Sequence, residues 1–164
     1  MAKRSARTAR PVRRASTPTL PAETAGTTIR YIESSALVAA LLERDAAALN
    51  ALRTKDRQVT SALTLAEGAR AILRARASAR LTADEERAVV RGLRRFERRC
   101  YVIAITDAVL ARVRRPFPVE PVRTLDAVHL ATIESLDEPP QLVTIVTRDN
   151  RIRDNARALG YAVE

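Results

Sequence analysis

Cysteine, histidine and aromatic side chains are scarce in this chain of 164 residues, which has one Cys, one His, three Tyr, two Phe and no Trp. The lone Cys100 cannot close an internal disulfide, and no Cys-rich metal site can form around it. Its expected place is that of a small apolar residue at a strand edge. With aromatics at 3% and apolar residues at 46%, the core must consist mostly of Ala, Leu, Val and Ile. The length suits one domain that buries a substantial core. No apolar run approaches the roughly 18 residues needed to cross a bilayer. The N-terminus also lacks the unbroken apolar stretch of a secretory signal. No membrane partner and a cytoplasmic location are therefore expected.

Positive charge is what the chain has in excess, with a net charge of +10. Residues 1–28 hold Lys3, Arg4, Arg7, Arg10, Arg13 and Arg14 against Glu23, which gives half of that charge in about a sixth of the length. This segment has almost no bulky apolar side chains and cannot offset its ordering entropy, so it is expected to be a basic, disordered tail. Its Arg-rich, acid-poor composition also resembles an organelle transit peptide. A nucleic-acid tether and a solvated or misassigned start are the competing readings. The remaining residues, 29–164, are basic too. A polyanionic partner fits that balance, as does a surface of solvated arginines.

Order is expected to begin at Ile29-Arg30-Tyr31-Ile32, a β-branched and aromatic run. Strands are predicted again at Gln58–Ala62, Tyr101–Ile105, Leu142–Val146 and Tyr161–Val163. Between them apolar spacing at i, i+4 predicts helices, beginning after Ser34-Ser35 and covering Ala46–Arg53, Leu65–Ala75, Thr82 to about Phe96, and Asn150–Leu159. Thr82-Ala83-Asp84-Glu85 has the form of a capping box, Thr106 caps a short helix ending before Pro116, and Gly160 stops the last one. Pro116–Pro121 cannot be helical throughout, and a helix resumes near Thr124. Alternating strands and helices imply βαβ units, hence an α/β/α three-layer sandwich around a mainly parallel sheet. No repeat period is visible.

In such sheets functional groups gather beyond the carboxyl ends of the strands. Acids recur at those positions. Glu33 follows the first strand, Glu67 is expected in the first turn of the helix after the second, and Asp126 in the first turn of the helix begun by Thr124. Asp149 opens the last helix. Any one of them could simply serve a helix N-terminus. Four converging without counter-charge would raise one another's pKa, and a hard divalent cation, Mg²⁺ or Mn²⁺, resolves that conflict with oxygen ligands.

Tyr31-Ile32-Glu33-Ser34-Ser35-Ala36-Leu37 resembles the opening strand and turn of PIN domains, especially VapC-type toxin ribonucleases. Leu63-Thr64-Leu65-Ala66-Glu67 is similar to that family's second acidic motif, and Leu125-Asp126-Ala127-Val128-His129-Leu130-Ala131 to its third. Val146-Thr147-Arg148-Asp149 followed by Ala156-Arg157-Ala158-Leu159-Gly160 resembles the fourth acid and closing helix. The resemblance spans residues 29–164. It implies a metal-dependent endoribonuclease in which Glu33, Glu67, Asp126 and Asp149 hold Mg²⁺ or Mn²⁺. It also implies a homodimer, an RNA substrate and, for a toxin, a small antitoxin that masks the site. The family's first motif usually carries Asp where this chain has Glu33. That longer side chain predicts weaker Mg²⁺ activity and a preference for Mn²⁺, or a catalytically degenerate PIN fold that binds RNA or protein without cleaving.

Other residues have two readings. His129, one turn after Asp126, is expected to be a packed or hydrogen-bonded helix position rather than a catalytic base. Ser34, Ser35, Thr124 and Thr147 could line the site or cap helices. Asp107 is expected to be a first-turn acid. Arg91, Arg94, Arg95, Arg98 and Arg99 fall on one helix face, either solvated or contacting phosphates; no aromatic platform accompanies them for base stacking. A phosphoryl-transfer enzyme with a carboxylate nucleophile would place a second acid close behind Glu33, where Ser34 and Ser35 stand instead.

Overall fold

The computed structural model describes residues 28–164, so the expected basic tail lies outside the described residues apart from Thr28. Five strands, β1 (Ile29–Ile32), β2 (Arg57–Ser61), β3 (Tyr101–Ile103), β4 (Val143–Val146) and β5 (Ala162–Val163), form one parallel sheet in the order β3-β2-β1-β4-β5. The chain steps from β1 to β3 in one direction, then returns past β1 to β4 and β5. Right-handed crossovers therefore put the helices of the two halves on opposite faces. Helices α1 (Ser34–Leu42), α2 (Ala46–Ala51), α3 (Ala62–Ala77) and α4 (Ala83–Glu97) pack together, and α5 (Asp107–Val113), α6 (Thr124–Glu134) and α7 (Asn150–Ala158) form the second layer. The expected three-layer α/β/α sandwich is the observed fold.

Alternation along the strands divides the core. Ile29, Tyr31, Val59, Ile103, Val143 and Ile145 meet Leu130, Ile133 and Ile152 of α6 and α7. Ile32 and Val146 face the other way, onto Leu37 and Phe96. Polar strand residues on this side are buried but satisfied: Thr60 Oγ1 donates to the Ile32 carbonyl and Gln58 Nε2 to the Leu52 carbonyl, both at 2.8 Å. Cys100 sits partly buried just before β3, where desolvation pushes its thiol up to about 12. It is an inert packing residue.

Several boundaries are set by caps. The Thr82–Glu85 capping box forms, and Gly160 closes α7 at φ +89°, in the left-handed region that favours glycine. β3 ends two residues before the expected Ile105, because Thr106 Oγ1 accepts from the Val109 N–H to start α5. β2 ends at Ser61, whose Oγ accepts from the Thr64 N–H at 3.0 Å and starts α3 at Ala62. That earlier start moves Glu67 from the expected first turn to the second. Among the described residues no helix is long and apolar enough to cross a membrane.

Candidate metal centre

Strand order reverses between β1 and β4, and open α/β sheets gather ligands outside the carboxyl ends of the strands at such a switch point. Glu33 stands at that point. Its backbone N–H extends the ladder to the Val146 carbonyl at 3.0 Å, and its side chain caps α1 by accepting from the Ser35 N–H at 3.0 Å. The Ser34 and Ser35 hydroxyls donate to the same carboxylate, and Thr147 Oγ1 donates from β4's end at 2.8 Å. Only 2% of Glu33 is exposed. A carboxylate so buried needs its oxygens hydrogen-bonded, and here they are.

Glu67 approaches from α3 and is partly buried. Its Oε2 lies 2.8 Å from His129 Nε2. Burial tends to raise its pKa, but hydrogen bonds from His129 and Ser34 outweigh that and hold it below the usual carboxylate range. Asp149 caps α7, with Oδ1 accepting from the Arg151 N–H at 2.7 Å and the Ile152 N–H at 3.2 Å. Asp126 lies in the first turn of α6, as expected. Its Oδ2 is buried without a hydrogen-bond partner. Burial pushes the Asp126 carboxyl up, and the neighbouring charges of Asp149 and Glu33 push it further. Those charges reach Asp126, at the start of α6, from residues that follow β1 and β4.

Among the described residues none of these four acids forms an ion pair with Lys or Arg; His129 is the basic group beside them. Glu33, Glu67 and His129 offer ligand atoms within 4.8 Å of one another. An orphaned carboxylate oxygen beside carboxylates and hydroxyls that carry no Lys or Arg ion pair is a donor set suited to a hard divalent cation.

His129 is 1% exposed and hydrogen-bonded at both ring nitrogens, to Glu67 and to Tyr31 Oη at 3.0 Å. The expectation of a packed, hydrogen-bonded histidine holds. Ser34, Ser35 and Thr147 all line the site, whereas Thr124 is exposed and makes no cap hydrogen bond. Asp107 is an exposed first-turn acid of α5. Tyr31 was not foreseen as part of the site. Alternation along β1 was the available signal, since it turns Tyr31 toward the face that α6 covers. The α4 arginines are exposed. Arg94 and Glu97 share a groove with Leu65, so the Arg-rich end of α4 flanks the first turns of α3, the helix that carries Glu67.

The PIN domain family model matches residues 30–158. The chain is similar to Ribonuclease VapC35 of Mycobacterium tuberculosis, at 40% identity over 138 residues that cover 81% of this chain and 93% of that one. Ribonuclease VapC46 of the same organism is 39% identical over 135 residues, covering 81% and 94%. In fold it is similar to the crystal structure of VapBC2 from Rickettsia felis bound to a DNA fragment from their promoter, with a TM-score of 0.58 and 15% identity over 83% of this chain and 97% of that one. The chain belongs to the PIN domain family and, within it, to the VapC-type group.

Proposed function

We propose that this chain is a divalent-metal-dependent endoribonuclease, the toxin component of a toxin–antitoxin pair, with Glu33, Glu67, Asp126 and Asp149 holding Mg²⁺ or Mn²⁺. The observation that carries the reading is the unpartnered, buried Asp126 Oδ2 among carboxylates with no Lys or Arg paired to them. The ribonuclease names of the relatives, at about 40% identity over most of the chain, support RNA as substrate.

A bound divalent cation supplies Lewis acidity to the attacking water and to the phosphodiester, together with charge to offset the leaving oxygen. The chain's own residues supply the rest. Glu33 is fixed by four donors from Ser34, Ser35 and Thr147. Asp149 is fixed by the first turn of α7, so its Oδ1 faces the backbone and Oδ2 is left for the site. The exposed arginines of α4 give the RNA backbone a basic rim, and each phosphate contact there would add to salt dependence. A homodimer belongs to the same reading: Leu110, Val119 and Leu125 are exposed apolar side chains on the α5–α6 segment that such a contact would cover. An antitoxin that masks the acidic edge completes it.

The test is cleavage of mixed RNA by the purified protein with Mn²⁺ or Mg²⁺, with and without chelator, alongside Glu67→Ala and Asp126→Ala. Chelator-sensitive cleavage that both variants lose is the expected result. One observation favours a second reading, a PIN fold that binds RNA without cutting it: the Glu33 carboxylate is so filled by donors that it could serve only as a helix cap. RNA binding without cleavage under every metal condition would select that module.

A further inference from the structure

Behind the acidic edge lies a second polar layer that the proposed chemistry does not use. Tyr31 of β1 and His129 of α6 are 0% and 1% exposed, and their rings meet edge to face with centroids 6.3 Å apart. His129 Nδ1 is 3.0 Å from Tyr31 Oη, and Nε2 is 2.8 Å from Glu67 Oε2 and 3.6 Å from Glu33 Oε1. The direction of these bonds follows from what each group can do. A neutral imidazole has one N–H and one lone pair, and an ionised carboxylate can only accept. With the hydrogen on Nδ1, the Nε2 lone pair would face the Glu67 carboxylate at hydrogen-bond distance inside a buried site. With it on Nε2, both contacts are satisfied: Nε2–H donates to Glu67 and Nδ1 accepts from the Tyr31 phenol. The phenol carries an O–H that can donate to a bare ring nitrogen.

We propose that His129 is a positioning residue rather than a cation ligand: Tyr31 locks it in the Nε2–H tautomer, and that N–H grips Glu67 Oε2 so that Glu67 turns its other oxygen to a cation shared with Glu33, Asp126 and Asp149. This rests on the metal reading of the site given above. The three ligand-capable groups Glu33, Glu67 and His129 then divide into two that face the cation and one that orients Glu67. The arrangement is an outer hydrogen bond to a ligating carboxylate, and losing such bonds commonly weakens metal affinity about 10–100-fold. It also explains why an imidazole sits among oxygen donors without making the site one for softer metals.

His129 is the chain's only histidine, so the tag-free, ¹⁵N-labelled full chain gives one imidazole spin system in a long-range ¹H–¹⁵N spectrum. The expected pattern is a protonated Nε2 and a bare Nδ1. Tyr31→Phe should mix the tautomers. A protonated Nδ1, or mixed tautomers in the unaltered chain, would overturn the proposal, and neither measurement needs a variant at His129. Adding Mg²⁺ should leave the Nε2–H in place, whereas loss of that proton on binding would make His129 a ligand and sink the idea.

Calorimetric titration with Mn²⁺ supplies the energetic arm. His129→Leu should bind about tenfold or more weakly, and His129→Gln, which keeps an N–H donor, should recover most of that loss. Normal binding by His129→Leu would overturn this proposal alone. No cation binding by the unaltered chain would overturn the metal reading, and this one with it.

Discussion

Thr147 Oγ1 donates to Glu33 Oε2 at 2.8 Å and accepts from the Asp149 N–H at 3.0 Å, so one buried hydroxyl joins acids that follow two different strands. Its position is fixed by the pairing of β1 with β4, which sets Ile32 opposite Val146. Thr147→Val keeps the shape and removes both bonds. A buried hydrogen bond to a charged group contributes about 1.5–3 kcal/mol, so a loss of stability of that size is expected in urea unfolding. Thr147→Ser should stay close to the parent. A Val variant as stable as the parent would show that the hydroxyl does not hold Glu33.

Glu33 sets the second expectation. Its carboxylate lies roughly 1.5 Å, one C–C bond, further from the backbone than an Asp carboxylate would. Mg²⁺ tolerates such displacement poorly because it demands near-ideal octahedral geometry. The unaltered chain should therefore turn over RNA faster with Mn²⁺ than with Mg²⁺, and Glu33→Asp should narrow that ratio. The same shortening draws the carboxylate away from Thr147, so Glu33→Asp should also unfold at lower urea. Equal rates with both metals, unchanged in the variant, would contradict the expectation.

Local signals in the sequence reach far into this fold. β-branched and apolar runs place β1 and β4, the Thr82–Glu85 pattern places the start of α4, and Glu33, Asp126 and Asp149 each follow a strand or open a helix. What such signals cannot carry is contact across the chain. Nothing near Tyr31 says that it meets a histidine 98 positions later, because that meeting depends on α6 covering the face of β1 to which alternation turns Tyr31. The strand order is non-local for the same reason: β4 returns to pair with β1 rather than with β3. The smaller error, Glu67 one turn too early, arose because Ser61 ends a strand and caps a helix at once, a double role that strand propensity alone does not reveal.

Asp126 gives a prediction with a defined sign. Burial, followed by the charges of Asp149 and Glu33, raises its folded-state pKa above the unfolded value of 3.8. A raised value means the folded domain prefers the protonated acid. Its stabilising contribution is therefore fully present below pH 3.8 and lost as pH rises through the folded value. At neutral pH the ionised group destabilises the cation-free fold. Asp126→Asn, which mimics the neutral form, should raise the melting temperature in chelator and weaken the stabilisation that Mn²⁺ confers. For the parent that gain should approach about 2.7 kcal/mol at a hundredfold excess over Kd. A variant less stable than the parent in chelator would mean that Asp126 is a structural acid rather than one held in reserve for a cation.

The α4 arginines can be tested without reference to cleavage. Arg94 and Arg98 are exposed and one helical turn apart, on the end of α4 that flanks the start of α3. If they contact RNA phosphates, each contact should contribute about 0.7 to the slope of log affinity against log salt for a single strand. Arg94→Ala with Arg98→Ala should thus lower that slope by about 1.4 and weaken binding to all sequences alike, since phosphate contacts carry no base information. The measurement is fluorescence anisotropy on a labelled single strand at several salt concentrations in chelator, which keeps the RNA intact. A slope unchanged in the double variant would return this face to the role of a solvated surface and point instead to Arg123, three residues before Asp126, and Arg148, beside Asp149.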